Sequence, residues 1–212
     1  MMQYDSRAGQ YRDLTTGRFV RRPEVMRVVE AEEQRLKVEL QRHTRALISE
    51  QVDIAQWQTK CAESLRASHI RIGALGSGGI ENMTSAKYGA IGYQLRTQYE
   101  YLSGFAVDLA EGFLTPAQAL VRVGRYSTSI RPSFHRCEQI TRQDEGFRTA
   151  KRSLDPIAQH CRSCIRYSTQ GRYVPISEVV MPGTACECGQ SCRCQVSYSK
   201  FTTESFAAQV AG

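Results

Sequence analysis

Apolar residues in the first two thirds of the chain recur every three or four positions, the period of one buried helical face. Pro23 sits where a first helical turn tolerates it, and Val25, Val29, Leu36, Leu40 and Leu47 then form one stripe. The residues between them are mostly charged or polar. The stripe is therefore narrow, and this helix is expected to be half-exposed or packed on a neighbouring chain. A second helix starts at Asp53, with Gln56 completing a capping box and Val52 and Trp57 placed for a hydrophobic staple. Ile54, Trp57, Cys61 and Leu65 share its face, and Trp57 and Cys61 read as core residues. In RIGALGSGGIENMT, Gly73, Gly76, Gly78 and Gly79 break the pattern. No strand precedes them and no Gly-Lys-Ser/Thr follows, so they mark a helix end and turn rather than a phosphate loop.

A third helix is predicted over 84–111, with Ile91, Leu95, Tyr99, Leu102, Ala106 and Leu109 on its stripe and Gly112 as its stop. Thr115, Pro116 and Gln118 then make a cap, a first-turn proline and a box. The fourth helix they open carries Leu120, Val121, Tyr126 and Ile130, is bent or interrupted at Pro132, and ends near Gly146. Beyond that point the period changes. Residues 147–154 can form a strand, and QVSYSKF alternates apolar and polar positions. At the other end, YRDLTTGRFV reads as a small hairpin around Thr16 and Gly17, within an arm that needs a surface to settle on. The expected class is α+β, mainly α: an arm over 1–22, a helical bundle over 23–146, a Cys-rich β module over 147–200 and a loose tail over 201–212.

Composition narrows the options. The chain has 212 residues, of which 41% are hydrophobic and 23% charged, enough to bury a core. No apolar run approaches the roughly 18 residues of a membrane span. The N-terminus lacks the apolar centre of a signal peptide, which places synthesis in the cytoplasm. The net charge of +7 is local. Residues 116–172 hold eleven Lys and Arg against four Asp and Glu, and the remainder sums to zero. A basic second half points to an acidic partner or to a solvated basic face. If nucleic acid is that partner, Arg122, Arg125, Arg131, Arg136, Arg142, Arg148, Lys151 and Arg152 are its candidate contacts.

Six of the eight cysteines fall in one stretch, as Cys161-x2-Cys164, a 21-residue gap, and Cys186-x-Cys188-x3-Cys192-x-Cys194. In a reducing compartment such crowding points first to a metal. A tetrahedral zinc site takes four soft ligands, and tying a loop closed suits a module whose core is too small to hold alone. Six thiols compete for four places. The order of preference is Cys161, Cys164, Cys192, Cys188, Cys194 and last Cys186, the later members judged by side-chain parity on an extended chain. His160, beside Cys161, reads as an ordinary hydrogen-bonded histidine. Disulfides remain the structural alternative if the protein leaves the cell in a particle. Asp155, His160 and Cys161 have the residue types of an activated thiol, but crowding by other thiols favours metal capture. With no paired carboxylates and no Ser-His-Asp pattern, the chain is not expected to be an enzyme.

The run from Cys161-x2-Cys164 through Gly171, Tyr173-Val174-Pro175 and Pro182-Gly183 to Cys192-Arg193-Cys194 resembles the C-terminal segment of phage head-morphogenesis proteins, the Mu F-like minor head proteins. The family often carries a His about three residues before its Cys-Arg-Cys. Here that place is Gly189, and Cys188 beside it is the candidate substitute. The order of YRDLTTGRFV, DIAQWQ, QYEYLSGFA and GFLTPAQALVRVGRY along the chain is similar to prophage structural proteins of this kind. The resemblance implies a non-catalytic component of the virion head or portal vertex. It would be made in the host cytoplasm, partnered by portal or major capsid protein, by copies of itself in a ring and by packaged DNA, with no membrane. A zinc-dependent nucleic-acid-binding regulator is the alternative, although no recognition-type helix follows a zinc knuckle as a finger requires.

Overall fold

The computed structural model of the chain describes residues 2–5 and 7–202. It is mainly α-helical, with a small Cys-rich β region near the C-terminus. Helix α1 (Arg22–Ile48) buries Val25, Val29, Leu36 and Leu40, and Thr44 continues the stripe by accepting from the Trp57 indole at 3.1 Å. Helix α2 (Ile54–Ser77) starts as expected: the Asp53 carboxylate accepts from the Gln56 amide at 2.7 Å, and the Gln56 side chain accepts from the Asp53 amide. That reciprocal cap satisfies two amides the helix cannot pair internally. Helix α3 (Ser85–Ala110) buries Ile91, Leu95, Leu102 and Ala106, together with Phe105, whose ring meets Trp57 edge-on at 5.3 Å.

One expectation about the helices needs correction. Gly73 and Gly76 do not end α2; the helix runs through both and stops at Gly78, whose φ of +84° only glycine adopts without strain. The two glycines are there for close packing. A Cβ on Gly76 would collide with the Phe134 carbonyl oxygen and reach within 3.2 Å of the Glu138 amide, and one on Gly73 would meet the Ile91 side chain. The interruption expected at Pro132 is present, just ahead of the proline. The helix α4 (Pro116–Arg125) gives way to a 3-10 segment, Tyr126–Ile130, and α5 (Arg131–Asp144) begins with Pro132 in its first turn, where no hydrogen bond is lost.

Inside the bundle His69 is fully buried between Ser133 Oγ, 2.8 Å from Nδ1, and Ser129 Oγ, 3.0 Å from Nε2. Burial lowers its pKa from 6.5 to about 4. The folded chain therefore holds a neutral ring while the unfolded chain takes up a proton below about pH 6.5. His69 contributes stability that is full above that value and is lost as pH falls towards 4, on the order of 3 kcal/mol. Urea unfolding of the wild type between about pH 7 and about pH 4 is expected to show this loss. His69→Gln, which can still pair with a serine, should show a smaller drop. An equal drop in both would assign the acid sensitivity elsewhere.

The arm is a three-stranded antiparallel sheet in the order β1 (Met2–Asp5), β2 (Gln10–Asp13) and β3 (Phe19–Val20). The surface it needs is supplied by its own chain. Tyr11 Oη donates to the Leu75 carbonyl at 3.1 Å, the Tyr4 amide donates to the Gly78 carbonyl at 3.2 Å, and the Arg142 guanidinium lies over the Tyr4 ring. Beneath them Glu138 is completely buried. It accepts a two-pronged pair from Arg22 and lies 3.8 Å from Arg142.

The C-terminal module is a second antiparallel sheet, β5 (Val174–Pro175), β4 (Thr149–Ser153) and β6 (Gln195–Ser199) in that spatial order, with a short helix α6 (Arg162–Tyr167). Its apolar core is small: Ala150, Ile176, Val179, Met181 and Val196. It rests on α5, where the Gln139 side chain donates to the Ile176 carbonyl at 3.2 Å. The segment 203–212, most of the expected tail, lies outside the described residues.

Candidate metal centre

Two local structures bring the sulfurs together. The first is the Cys161-x2-Cys164 knuckle, in which Cys161 caps α6 and its Sγ accepts the Cys164 amide at 3.4 Å. The second is a pair of tight turns over 186–192. The Gly189 amide donates to the Cys186 carbonyl at 2.8 Å and the Ser191 amide to the Cys188 carbonyl at 3.1 Å. These turns curl the chain so that Cys186, Cys188 and Cys192 face inward. Together with Cys164 they form a set whose sulfurs all lie within 4.8 Å of one another. Cys164 Sγ is 3.4 Å from Cys188 Sγ and 3.5 Å from Cys192 Sγ, and Cys186 Sγ is 3.8 Å from Cys192 Sγ. A zinc–sulfur bond of about 2.3 Å gives a tetrahedron with edges near 3.8 Å, so the four sulfurs fit such an ion. All eight cysteines are free thiols.

The set differs from the order read along the sequence. Cys164, Cys188 and Cys192 are in it. Cys186, ranked last, is also in it, because the parity of an extended strand does not apply to a chain that turns twice. Cys161 and Cys194 stand outside the four. Cys161 is half-buried at the α6 cap, and Cys194 is buried beside Cys192 at the start of β6. His160 Nε2 donates to the Asp155 carbonyl at 2.7 Å, an ordinary hydrogen bond.

Electrostatics separate these thiols. Burial raises Cys164 well above the ordinary thiol value and takes Cys188 to about 12. Cys192 is raised to about 12 by its contact with Cys194 and then by burial. Metal uptake by thiols held in their protonated form would release protons. At Cys161 burial acts upward, but the amides of Cys164 and Cys188 outweigh it and bring the thiol to about 7. Arg152 joins the site from β4: its Nη2 lies 2.9 Å from Cys186 Sγ and 3.5 Å from both Cys164 Sγ and Cys192 Sγ.

The eight basic candidates do not share one face. Arg131 is buried and donates to both Glu33 carboxylate oxygens at 2.9 Å. Arg142 is buried between Glu138 and Glu145, and Arg152 is enclosed by the cysteines. These three are not available to nucleic acid. Arg122 pairs with Asp108, and Lys151 lies 5.1 Å from the Tyr173 ring centroid. Arg125, Arg136 and Arg148 are exposed. Of the basic residues in 116–172, Arg131 and Arg142 thus neutralise acidic residues inside the fold.

No helix among the described residues is long and apolar enough to cross a membrane. Comparison of the chain with family models, with curated proteins and with solved structures returns no match.

Proposed function

We propose that the chain is a non-catalytic structural protein whose Cys-rich module is closed by one Zn2+ ion and serves as a rigid docking element. The observation that carries this is the convergence of Cys164, Cys186, Cys188 and Cys192 on one tetrahedral set. Four thiolates suit zinc, and they leave no open position on the ion for a substrate, which supports a structural role. The resemblance of the segment to Mu F-like minor head proteins supports a place in a phage head or at its portal vertex. There the helices pack on portal protein, major capsid protein or copies of the same chain. Repeated weak contacts multiplied by symmetry give such a component its affinity. Exposed Arg125, Arg136 and Arg148 are the residues left to meet packaged DNA.

Purified under metal-replete conditions, the protein is expected to carry one zinc per chain and to expose its module thiols to a thiol reagent only after chelation. A preparation with no metal and freely reactive module thiols would end the metal reading. The assembly role is tested separately, by high-resolution imaging of the portal vertex of intact particles; absence of the chain there would end it.

A further inference from the structure

Arg152 occupies an unusual place for an arginine. It sits on β4 with no exposed surface, in line with Ala150, on the strand face that packs inward. Nη1 donates to the Val180 carbonyl at 2.6 Å, and Nε has no partner. Its Cζ lies 5.7 Å from the Tyr167 ring centroid. Among the described residues no carboxylate pairs with it. A guanidinium stays charged at any pH the protein meets, and a buried charge without a counter-charge is strongly unfavourable. The groups around Nη2 that can supply negative charge are the sulfurs of Cys164, Cys186 and Cys192.

The charge balance is simple. Four thiolates around one divalent ion make a centre of charge −2. A cation fixed 2.9 to 3.5 Å from three of its sulfurs favours that state over the metal-free one. The three sulfurs Nη2 touches are three corners of the four-sulfur set, so the guanidinium covers one face and Cys188 is the remaining corner. Cys194 faces the same guanidinium.

We propose that Arg152 is the counter-cation of the metal–thiolate centre, capping the Cys164–Cys186–Cys192 face through N–H···S hydrogen bonds and holding the centre to a single ion although six thiols surround it. The inference rests on the metal reading above. It also explains the two extra cysteines. A six-thiolate cluster could hold a second ion, but here the space beside Cys186 and Cys194 is filled by the guanidinium. Arg152 is a positioning residue: it acts on the sulfurs and not on the ion.

The test compares wild type, Arg152→Lys and Arg152→Met, each loaded with Zn2+ or Co2+ and titrated with a competing chelator. Wild type is expected to bind one ion per chain. Arg152→Met should bind it about 10- to 100-fold more weakly. Arg152→Lys, which keeps the charge without the planar fork, should fall between. In the Co2+ forms the thiolate-to-metal absorption should move to lower energy when the N–H···S bonds are removed, a change that a purely structural role would not produce. Should Arg152→Met fail to fold, Arg152→Lys decides on the same two readouts. Unchanged affinity and an unchanged spectrum would overturn the role of Arg152, as would two ions in the wild type. A wild-type chain that takes no ion at all would overturn the metal reading itself.

Discussion

Cys164→Ser is expected to lose the metal ion, and with it the fixed structure of the C-terminal module, while α1 to α5 keep theirs. Cys164 is the contribution of the knuckle to the four-sulfur set, with sulfur contacts at 3.4 and 3.5 Å. Without an ion the module keeps five buried apolar side chains around Ala150 and Val196 and a small cluster of cysteines. A core of that size does not hold a segment of about 50 residues. Zinc binding in comparable small modules contributes on the order of 10 kcal/mol or more to folding. The helical bundle has its own core, from Val25 through Trp57 and Phe105 to Phe134. Limited proteolysis should therefore cut within 155–194 while the far-ultraviolet helix signal stays near its wild-type value. Cys186→Ser should behave like Cys164→Ser, whereas Cys161→Ser should keep its metal. The reverse pattern, with Cys161 required and Cys186 dispensable, would assign the ion to a different set.

Glu138→Ala is the second large effect, a loss of about 3 to 5 kcal/mol of folding stability. Its carboxylate is completely buried and holds Arg22 and Arg142. Arg142 also lies against the Tyr4 ring, so the carboxylate anchors arm, α1 and α5 at one point. Removal leaves two guanidinium groups with less than their counter-charge. Arg142 keeps Glu145 at 3.0 Å, and Arg22 is partly open to water, which places the expected loss nearer the lower end. Urea unfolding monitored at Trp57 measures it. A change below about 1 kcal/mol would mean that the pair does little more than a surface ion pair does. In Arg22→Ala/Glu138→Ala the double loss should be clearly smaller than the sum of the two single ones.

Local chemistry was legible in the sequence wherever it was decided locally. Asp53 with Gln56, and Thr115 with Gln118, each specify a helix start within four residues, and both caps stand as read. The stripe of α1 and the strand at 195–199 were equally plain, because period alone separates helix from strand. What failed depended on a distant partner or on local turns. Gly73 and Gly76 look like breakers until Ile91 and Phe134 are seen against them. β1 was missed although Asp5 and Gly9 mark its turn, with the Asp5 carboxylate accepting from the Arg7 and Ala8 amides and Gly9 at positive φ; β2 and the end of α2 receive the strand. Cys186 was undervalued because the hydrogen-bonded turns at 186–192 are invisible to a parity rule. Arg152 did leave a signal. On a strand with Ala150 inward, alternation puts position 152 inward as well, and an inward arginine asks what anion awaits it.

The order β5-β4-β6 also governs the sequence of events in folding. The helices can zip up from contacts with their neighbours along the chain, which closes short loops and is fast. Strand β4 cannot. Both of its partners come later, and Thr149 must wait for Ser199 to lie beside it. Every cysteine of the metal set lies inside the loop that this pairing closes. The bundle is therefore expected to form first and the module to close on it last, so uptake of the proposed ion would pace only the final stage of maturation.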